Sequence, residues 1–404
     1  MDSPVAMVSY SWRDDVAAEL IHDELALRGF RVIHDRHSFT HGSRIPANMA
    51  SAVDACDVFV AYLTPSSLYL DRPDDQPRPA LVGELRPALR QRRENLRPGA
   101  VDTPVILALA HGLGDRNAAA EIIRRQTGED IASLWITPLD QATPHITHHE
   151  AALVANSALR ALTDRQPPAV PIDLFVATRG TKPPPRRLTI DGTRLLGGDR
   201  NPNRTTSWAR FLGALHGVAA VLAPTITDHR ITVDLRCHLS AAFATGRVFH
   251  QATRWLPAFT TRHGPIRPAD TDLGSHLKGD FDHYNESGDL IVDIDLLGHD
   301  VADLTSQLAA SLPRVGGRIS LSRRVSGVDL SPAEIASSAR WAANLIRKAH
   351  AALRPATIHL TQATPAAFAA LLGHHLTALG ANVTCYELDG ARYTAALTIP
   401  HAAP

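Results

Sequence analysis

The stretch Val5-Ala-Met-Val-Ser-Tyr-Ser-Trp12 sets an apolar run of strand length directly before a helical stripe made by Val16, Leu20, Ile21, Leu25 and Leu27. The apolar spacing changes from continuous to every third or fourth residue within a few positions, as it does where a strand feeds a crossover helix. The rhythm then repeats: a strand at 30–33, a helix carrying Ile45, Met49 and Val53, strands at 57–63, 104–109 and 134–136, and a last helix at 148–162. Leu81, Leu85, Ala88 and Leu89 mark a further helix that starts near Glu84, because Pro87 is tolerated only in a first turn. Strands alternating with crossover helices predict an α/β domain whose parallel sheet is covered on both faces.

The chain has 404 residues, which favours more than one core. With 44% hydrophobic and 20% charged residues it can bury those cores, which excludes a mainly disordered chain. No apolar run approaches the roughly 18 residues of a membrane span, and the N-terminus lacks a basic-then-apolar leader, so the expected location is the cytoplasm. Cys56, Cys237 and Cys385 form no CxxC pair and are expected as buried, unpaired thiols. His145, His148, His149 and Glu150 sit together, yet no matching ligand set stands elsewhere, and neither a metal nor a cofactor is expected.

Net charge is zero but unevenly divided. Residues 1–170 hold 17 Arg against 22 Asp and Glu, or −5; residues 171–404 hold 24 Lys and Arg against 19 Asp and Glu, or +5. The excess concentrates in Arg179, Lys182, Arg186, Arg187, Arg194, Arg200, Arg204 and Arg210. Such an arginine-rich stretch is either a solvated basic surface or a phosphate site, arginine being suited to bidentate contacts. A charge of +5 over 234 residues is too weak for a long nucleic acid and points to a compact anion.

Gln166-Pro-Pro-Ala-Val-Pro171 interrupts the alternation as a semi-rigid connector, giving a first domain at 1–165, a linker at 166–171 and a second domain at 172–404. Beyond it, strands are predicted at 172–177, 231–235, around 247–250, 290–296, 319–321, 358–360, 383–388 and 393–399. Helices are predicted at 205–222, 239–244, 301–312, 332–353 and 365–379. Two strand–helix halves meet near residue 285.

The first domain resembles a TIR domain. The resemblance rests on Val8-Ser-Tyr-Ser-Trp-Arg-Asp14, Gly29-Phe-Arg-Val-Ile-His-Asp35, Gly42-Ser-Arg-Ile45, Asp57-Val-Phe-Val-Ala-Tyr-Leu-Thr64, Ser66-Ser67 and Gly83-Glu-Leu85, in the family's order and spacing. It implies a five-stranded, flavodoxin-like sheet and one of two roles: a protein-interaction adaptor, or an enzyme that cleaves NAD between nicotinamide and ribose. In the enzymatic members the essential carboxylate matches Glu84, and the loop containing Asp35, Phe39 and Gly42 serves assembly and gating. The tryptophan often found just before that glutamate is replaced here by Leu81 and Val82. Independently of the family, a strand running into its helix at Tyr10, Ser11 and Trp12 is where open α/β sheets bind ligands. A single ionised carboxylate suits the oxocarbenium charge that builds as an N-ribosyl bond breaks.

The second domain resembles a SAVED domain, the sensor fused to effectors in bacterial cyclic-oligonucleotide antiphage signalling. The segments carrying this are 231–249, with Cys237-His-Leu-Ser240 and Gly246, and 358–388, with Thr361-Gln-Ala-Thr-Pro365 and Gly380. The resemblance implies two Rossmann-like halves and a cyclic oligonucleotide activator, with a cyclic trinucleotide such as cyclic tri-adenylate as the expected ring. Candidate contacts are Arg179, Arg186, Arg187 and Arg204 for charge, Thr205, His238, Ser240, Gln362 and Thr364 at strand-to-helix junctions, and Trp208, Trp255 or Tyr284 for stacking. Helix N-termini at 205–208, 239–240, 298–300 and 364–365 offer unpaired amides to phosphates. Taken together, the expected protein is an effector in which the activator drives homo-oligomerisation, by head-to-tail contacts that extend into a filament, and so switches on NAD hydrolysis. A non-enzymatic TIR scaffold and a sensor of linear nucleic acid are the alternatives.

Overall fold

Val5–Ser9 forms β1, with all five residues buried, as expected of a strand covered on both faces. The structure is a computed structural model, and the residues it describes are 4–34, 52–53, 55–68, 85–86, 88–90, 104–109, 112–129, 135–137, 139–140, 145–165, 168, 170–180, 188–196, 205–270, 277–299, 302–324 and 330–401. They cluster into two compact units, one based on Met1–Pro168 and the other on most of the chain beyond it.

In the first unit β1 is joined by Arg31–His34 (β2), Val58–Leu63 (β3), Val105–Leu109 (β4) and Trp135–Thr137 (β5). The sheet order is β2-β1-β3-β4-β5 and every pairing is parallel. That is the flavodoxin-like order, with its switch point between β1 and β3. Asp15–Leu27 (α1) and His148–Arg165 (α3) pack together, and the buried Arg28 guanidinium ties them, donating to Glu24 Oε2 at 2.7 Å and to Asn156 Oδ1 at 2.7 Å. One apolar cluster joins Phe59, Leu63, Leu107, Leu85 and Leu89 to Ile123 of Arg116–Thr127 (α2). The five predicted strands and the helices at 16–27 and 148–162 are present, and residues 85–86 and 88–90 are helical as predicted; α2 is an addition. Its polar composition concealed it, although its ends are well marked: Asp115 accepts the amides of Asn117 and Ala118 at 2.9 Å, and Gly128 ends it at φ 76°. Of the expected helix with Ile45, Met49 and Val53, only Val53 falls among the described residues.

The second unit holds two sheets of matching plan. Ile172–Ala177 (β6), Leu188–Asp191 (β7), Arg230–Arg236 (β8), Leu256–Thr261 (β9) and Gly264–Ile266 (β10) form one, in the order β10-β9-β8-β6-β7. The other contains Leu277–His283 (β11), Asp289–Asp295 (β12), Val315–Arg323 (β13), Thr357–Ala363 (β14), Asn382–Asp389 (β15) and Arg392–Ile399 (β16), in the order β11-β13-β12-β14-β15-β16. Each has a parallel core, β9-β8-β6 or β15-β14-β12, and each ends in an antiparallel partner, β10 or β16. The helices are Thr193–Leu196 (α4), Thr205–Leu222 (α5), Leu239–Val248 (α6), Ala302–Ser311 (α7), Pro332–Leu353 (α8) and Ala366–His375 (α9). The two Rossmann-like halves expected from the sequence are present, with β11 as an extra edge on the second.

Two expectations are corrected. The strand predicted around 247–250 does not form; α6 continues through Gly246 to Val248. Gly246 is there because α6 crosses α9 closely: a Cβ on Gly246 would overlap the Ala370 carbonyl, and one on Gly373 would overlap the Phe243 carbonyl. The short strand at 319–321 spans nine residues, because β11 pairs with it from Gly317 to Arg323 and β12 pairs on its other side.

Candidate functional sites

In the first unit the parallel strands β1 and β3 end side by side, at the sheet's switch point. Tyr10 follows β1 directly, is buried, and donates its hydroxyl proton to Asp15 Oδ1 at 3.3 Å. Ser11 caps the short 3-10 turn Trp12–Asp14, its hydroxyl accepting from the Arg13 amide. From the neighbouring strand end Thr64 Oγ1 donates to Asp14 Oδ2 at 2.8 Å. Thr64 is itself fixed by Ser67: the Ser67 amide donates to Thr64 Oγ1 at 3.0 Å and the Thr64 amide to Ser67 Oγ at 2.8 Å. Burial lifts the Asp14 carboxyl above the usual aspartate range, which the Thr64 hydroxyl and Arg13 only partly offset. The Asp14–Thr64 pair was not singled out in the sequence, since its members are fifty residues apart.

Glu84, Asp35, Phe39 and Gly42 lie outside the described residues, as does the Trp12 side chain. The segment immediately after Glu84 is firmly anchored. Leu85 is buried in the same apolar cluster as Leu68, one turn past β3. Arg86 donates to the carbonyls of Thr127 and Gln126 at 3.1 and 3.4 Å, at the end of α2.

His145, His148 and His149 are exposed, whereas Glu150 is buried and structural. It accepts from the Asp140 amide at 2.6 Å and the Thr147 amide at 2.7 Å, while Thr147 Oγ1 accepts from the Glu150 amide at 3.2 Å, a capping box at the start of α3. All three cysteines are buried free thiols, and burial pushes the Cys56 thiol up to about 12.

In the second unit the described candidates stand where strands run into helices. Arg179 is exposed, just past β6. His238 precedes α6 and is buried; its amide donates to Thr178 Oγ1 at 2.8 Å, and its Nδ1 shares a 2.7 Å hydrogen bond with the same hydroxyl. Trp208 is buried edge-on to His238 at 5.7 Å. Trp255 is buried and Tyr284 exposed. Arg186, Arg187 and Arg204 lie outside the described residues.

The helix N-termini are not equivalent. The Ser240 amide, in the first turn of α6, donates to Glu387 Oε1 at 2.8 Å. Past β12, Asp295 Oδ1 accepts from the amides of Leu297, Gly298 and His299. Both places already hold a carboxylate, which repels a phosphate. At the start of α9, after Pro365, no carboxylate accepts a helix amide among the described residues. Beside it, Gln362 Oε1 and Thr364 Oγ1 are buried without a hydrogen-bond partner among the described residues. Buried polar atoms are seldom left so.

A TIR domain model matches residues 7–121, and a model of the SAVED family, described as a SMODS-associated sensor domain fused to various effectors, matches residues 215–399. No curated protein matches the chain. Among solved structures, the Cap4 SAVED/CARF-domain containing receptor of Acinetobacter baumannii with the cyclic trinucleotide 3′3′3′-cAAA aligns at a TM-score of 0.50 and 15% identity, covering 78% of this chain and 85% of that one. The same receptor with 2′3′3′-cAAA aligns at 0.49 and 15% identity, covering 90% and 86%. The Cap4 receptor of Moraxella osloensis aligns at 0.43 and 12% identity, covering 83% and 86%. At these identities the likeness is one of fold.

Proposed function

Since the chain joins a TIR domain to a SAVED domain, we propose that it is an antiphage effector in which a cyclic trinucleotide held by the SAVED domain switches on cleavage of NAD by the TIR domain. The observation that carries this reading is the presence of the two domain types in one chain, an effector and a sensor. In the reaction water adds to C1′ of the nicotinamide-bearing ribose and the bond to the pyridinium nitrogen breaks. Nicotinamide leaves neutral, ADP-ribose forms and one proton is released. Glu84 is the catalytic carboxylate, stabilising the oxocarbenium charge on the ribose; removing such a group costs about 3 kcal/mol or more in the barrier. Tyr10 and Ser11 line the substrate crevice with Trp12, and Asp35, Phe39 and Gly42 belong to the loop that completes it when a second copy docks.

The activator seats at the strand ends of the SAVED domain, with Arg179, Arg186, Arg187 and Arg204 supplying charge. Gln362 and Thr364 are the contacts favoured by geometry, being polar groups unpartnered among the described residues, beside a helix start where no described carboxylate accepts an amide. His238 and Ser240 act behind them, as buried supports. Activator binding makes head-to-tail contacts that extend into a filament. Cytoplasmic location fits the reading, and among the described residues no helix is long and apolar enough to cross a membrane.

Incubating the full chain with NAD and a panel of cyclic di-, tri- and tetranucleotides tests the proposal. Nicotinamide release with a trinucleotide, lost in Glu84→Gln, is expected. No release with any ligand would favour a non-enzymatic scaffold, and release surviving in Glu84→Gln would remove Glu84 from the mechanism. Light scattering tests assembly, and an unchanged mass at full activity would sink it.

A further inference from the structure

The second unit contains a cavity of about 780 Å³ whose lining includes none of Arg179, His238, Ser240, Gln362 or Thr364. Thr205 and Trp208 do line it, together with Gly213 and His216 further along α5. The opposite wall is the end of β16 and the residues after it, through His401, and Arg247 and His250 close it from the end of α6. Its volume lies in the range of small-molecule sites, roughly 300–1,000 Å³.

The charge in this cavity has one sign. Arg247 is half-buried, and its guanidinium donates to the Leu376 carbonyl. Among the described residues no carboxylate forms an ion pair with Arg247, His216, His250 or His401. The groups acting on His250 are His374, Arg247 and His216, each cationic when charged, and with burial they hold its ring down to about 4. His250 Nδ1 accepts from the Ala252 amide, so the neutral ring carries its proton on Nε2. A desolvated guanidinium without a counter-charge is costly, and a bound anion relieves that cost. Elsewhere the walls are apolar, with Leu212, Leu397 and Ile399 offering a surface for a flat body. Trp208 keeps its buried indole N–H without an acceptor among the described residues.

We infer that this cavity is a second ligand site, separate from the activator's, which takes a nucleoside monophosphate: the phosphate on Arg247 and His250, the base against α5 beside Trp208. The phosphate accepts from the Arg247 guanidinium and from His250 Nε2–H, so the ring donates without changing its charge. Thr205 and Trp208 then belong to this site and not to the activator's.

Calorimetry on the full chain with adenosine monophosphate at about pH 6 and about pH 8 tests the inference. The expected result is saturable binding at both, since the Arg247 guanidinium is a cation throughout this range. Inorganic phosphate is expected to bind more weakly than the nucleotide. Arg247→Ala is expected to weaken binding at least about tenfold, but it also removes the hydrogen bond to Leu376. Gly213→Leu covers that case: a Cβ on Gly213 meets nothing within 4 Å, so the leucine fills space without displacing the helix. Loss of nucleotide binding in Gly213→Leu, with cyclic tri-adenylate binding retained, supports a separate site. Nucleotide binding unchanged in Gly213→Leu, absence of binding at either pH, or joint loss of nucleotide and cyclic trinucleotide overturns it.

Discussion

Gly246 and Gly373 occupy the same place in two crossing helices, the eighth position of α6 and of α9, and each lies against the carbonyl of the fifth residue of the other helix, Ala370 or Phe243. The contact is reciprocal, as a two-fold relation between the halves requires. The helices that follow β8 and β14 therefore form the central crossing of the second unit.

Gly246→Ala and Gly373→Ala push a methyl group into backbone that cannot yield as a side-chain end would. Each is expected to destabilise by about 2–3 kcal/mol, read as a lower urea midpoint. Gly213→Ala, at an open helix position, is the contrasting control and is expected to stabilise by about 1 kcal/mol or less.

Thr64→Val removes the hydroxyl that donates to Asp14 and receives the Ser67 amide. An expected loss of about 1–3 kcal/mol follows from leaving a half-buried carboxylate and a buried amide short of a partner, and nicotinamide release should fall with it. Thr64→Ser keeps both bonds and should restore most of each. Chemical denaturation and the release assay on the two variants check this, and equal behaviour of Val and Ser would exclude the hydroxyl's role.

Acid should unfold the second unit early. Burial holds the rings of His250 and His375 down to about 4, and lowers those of His359 and His374 too. The unfolded chain takes up these protons near the ordinary value of about 6.5, while the folded chain resists until much lower pH. Stability is therefore full above that value and is lost as pH falls from about 6.5 toward 4. Urea midpoints across this window should fall with acidification, and a combined His250→Gln and His375→Gln variant should flatten the slope.

Glu387 and the start of α9 offer a test of where the activator's phosphates sit. Gln362→Ala and Thr364→Val are expected to weaken cyclic trinucleotide binding about tenfold, measured by calorimetry. Glu387→Ala should cost about 1–3 kcal/mol in stability, because the Ser240 amide loses its acceptor, and leave affinity within about twofold. Much tighter binding in Glu387→Ala would instead place a phosphate on α6.

The first sheet was legible because its strands are short apolar runs, the first of which, from Val5, leads straight into a helical stripe, and a parallel sheet buried on both faces needs little else. Residues 332–353 and 205–222 were legible for the same reason, having long apolar periodicity and marked ends. What was missed was α2, whose polar composition masks its apolar face; the short elements β7, α4, β9 and β10; β11, whose alternating residues are stabilised by pairing with β13; and the last turn of α6, whose glycine has meaning only beside α9.

From sequence alone came the two-domain plan, the α/β class of both parts, and Tyr10 and Ser11 at the end of the first strand, since these depend on local periodicity and on which residue follows which. Tertiary structure alone decided that Asp14 meets Thr64, that Glu387 occupies the start of α6, and that Arg247 faces a cavity with no carboxylate in its lining. Each is a meeting of groups far apart in the chain, and the energy of a charge or a hydrogen bond depends on what surrounds it in space, which residue order does not record.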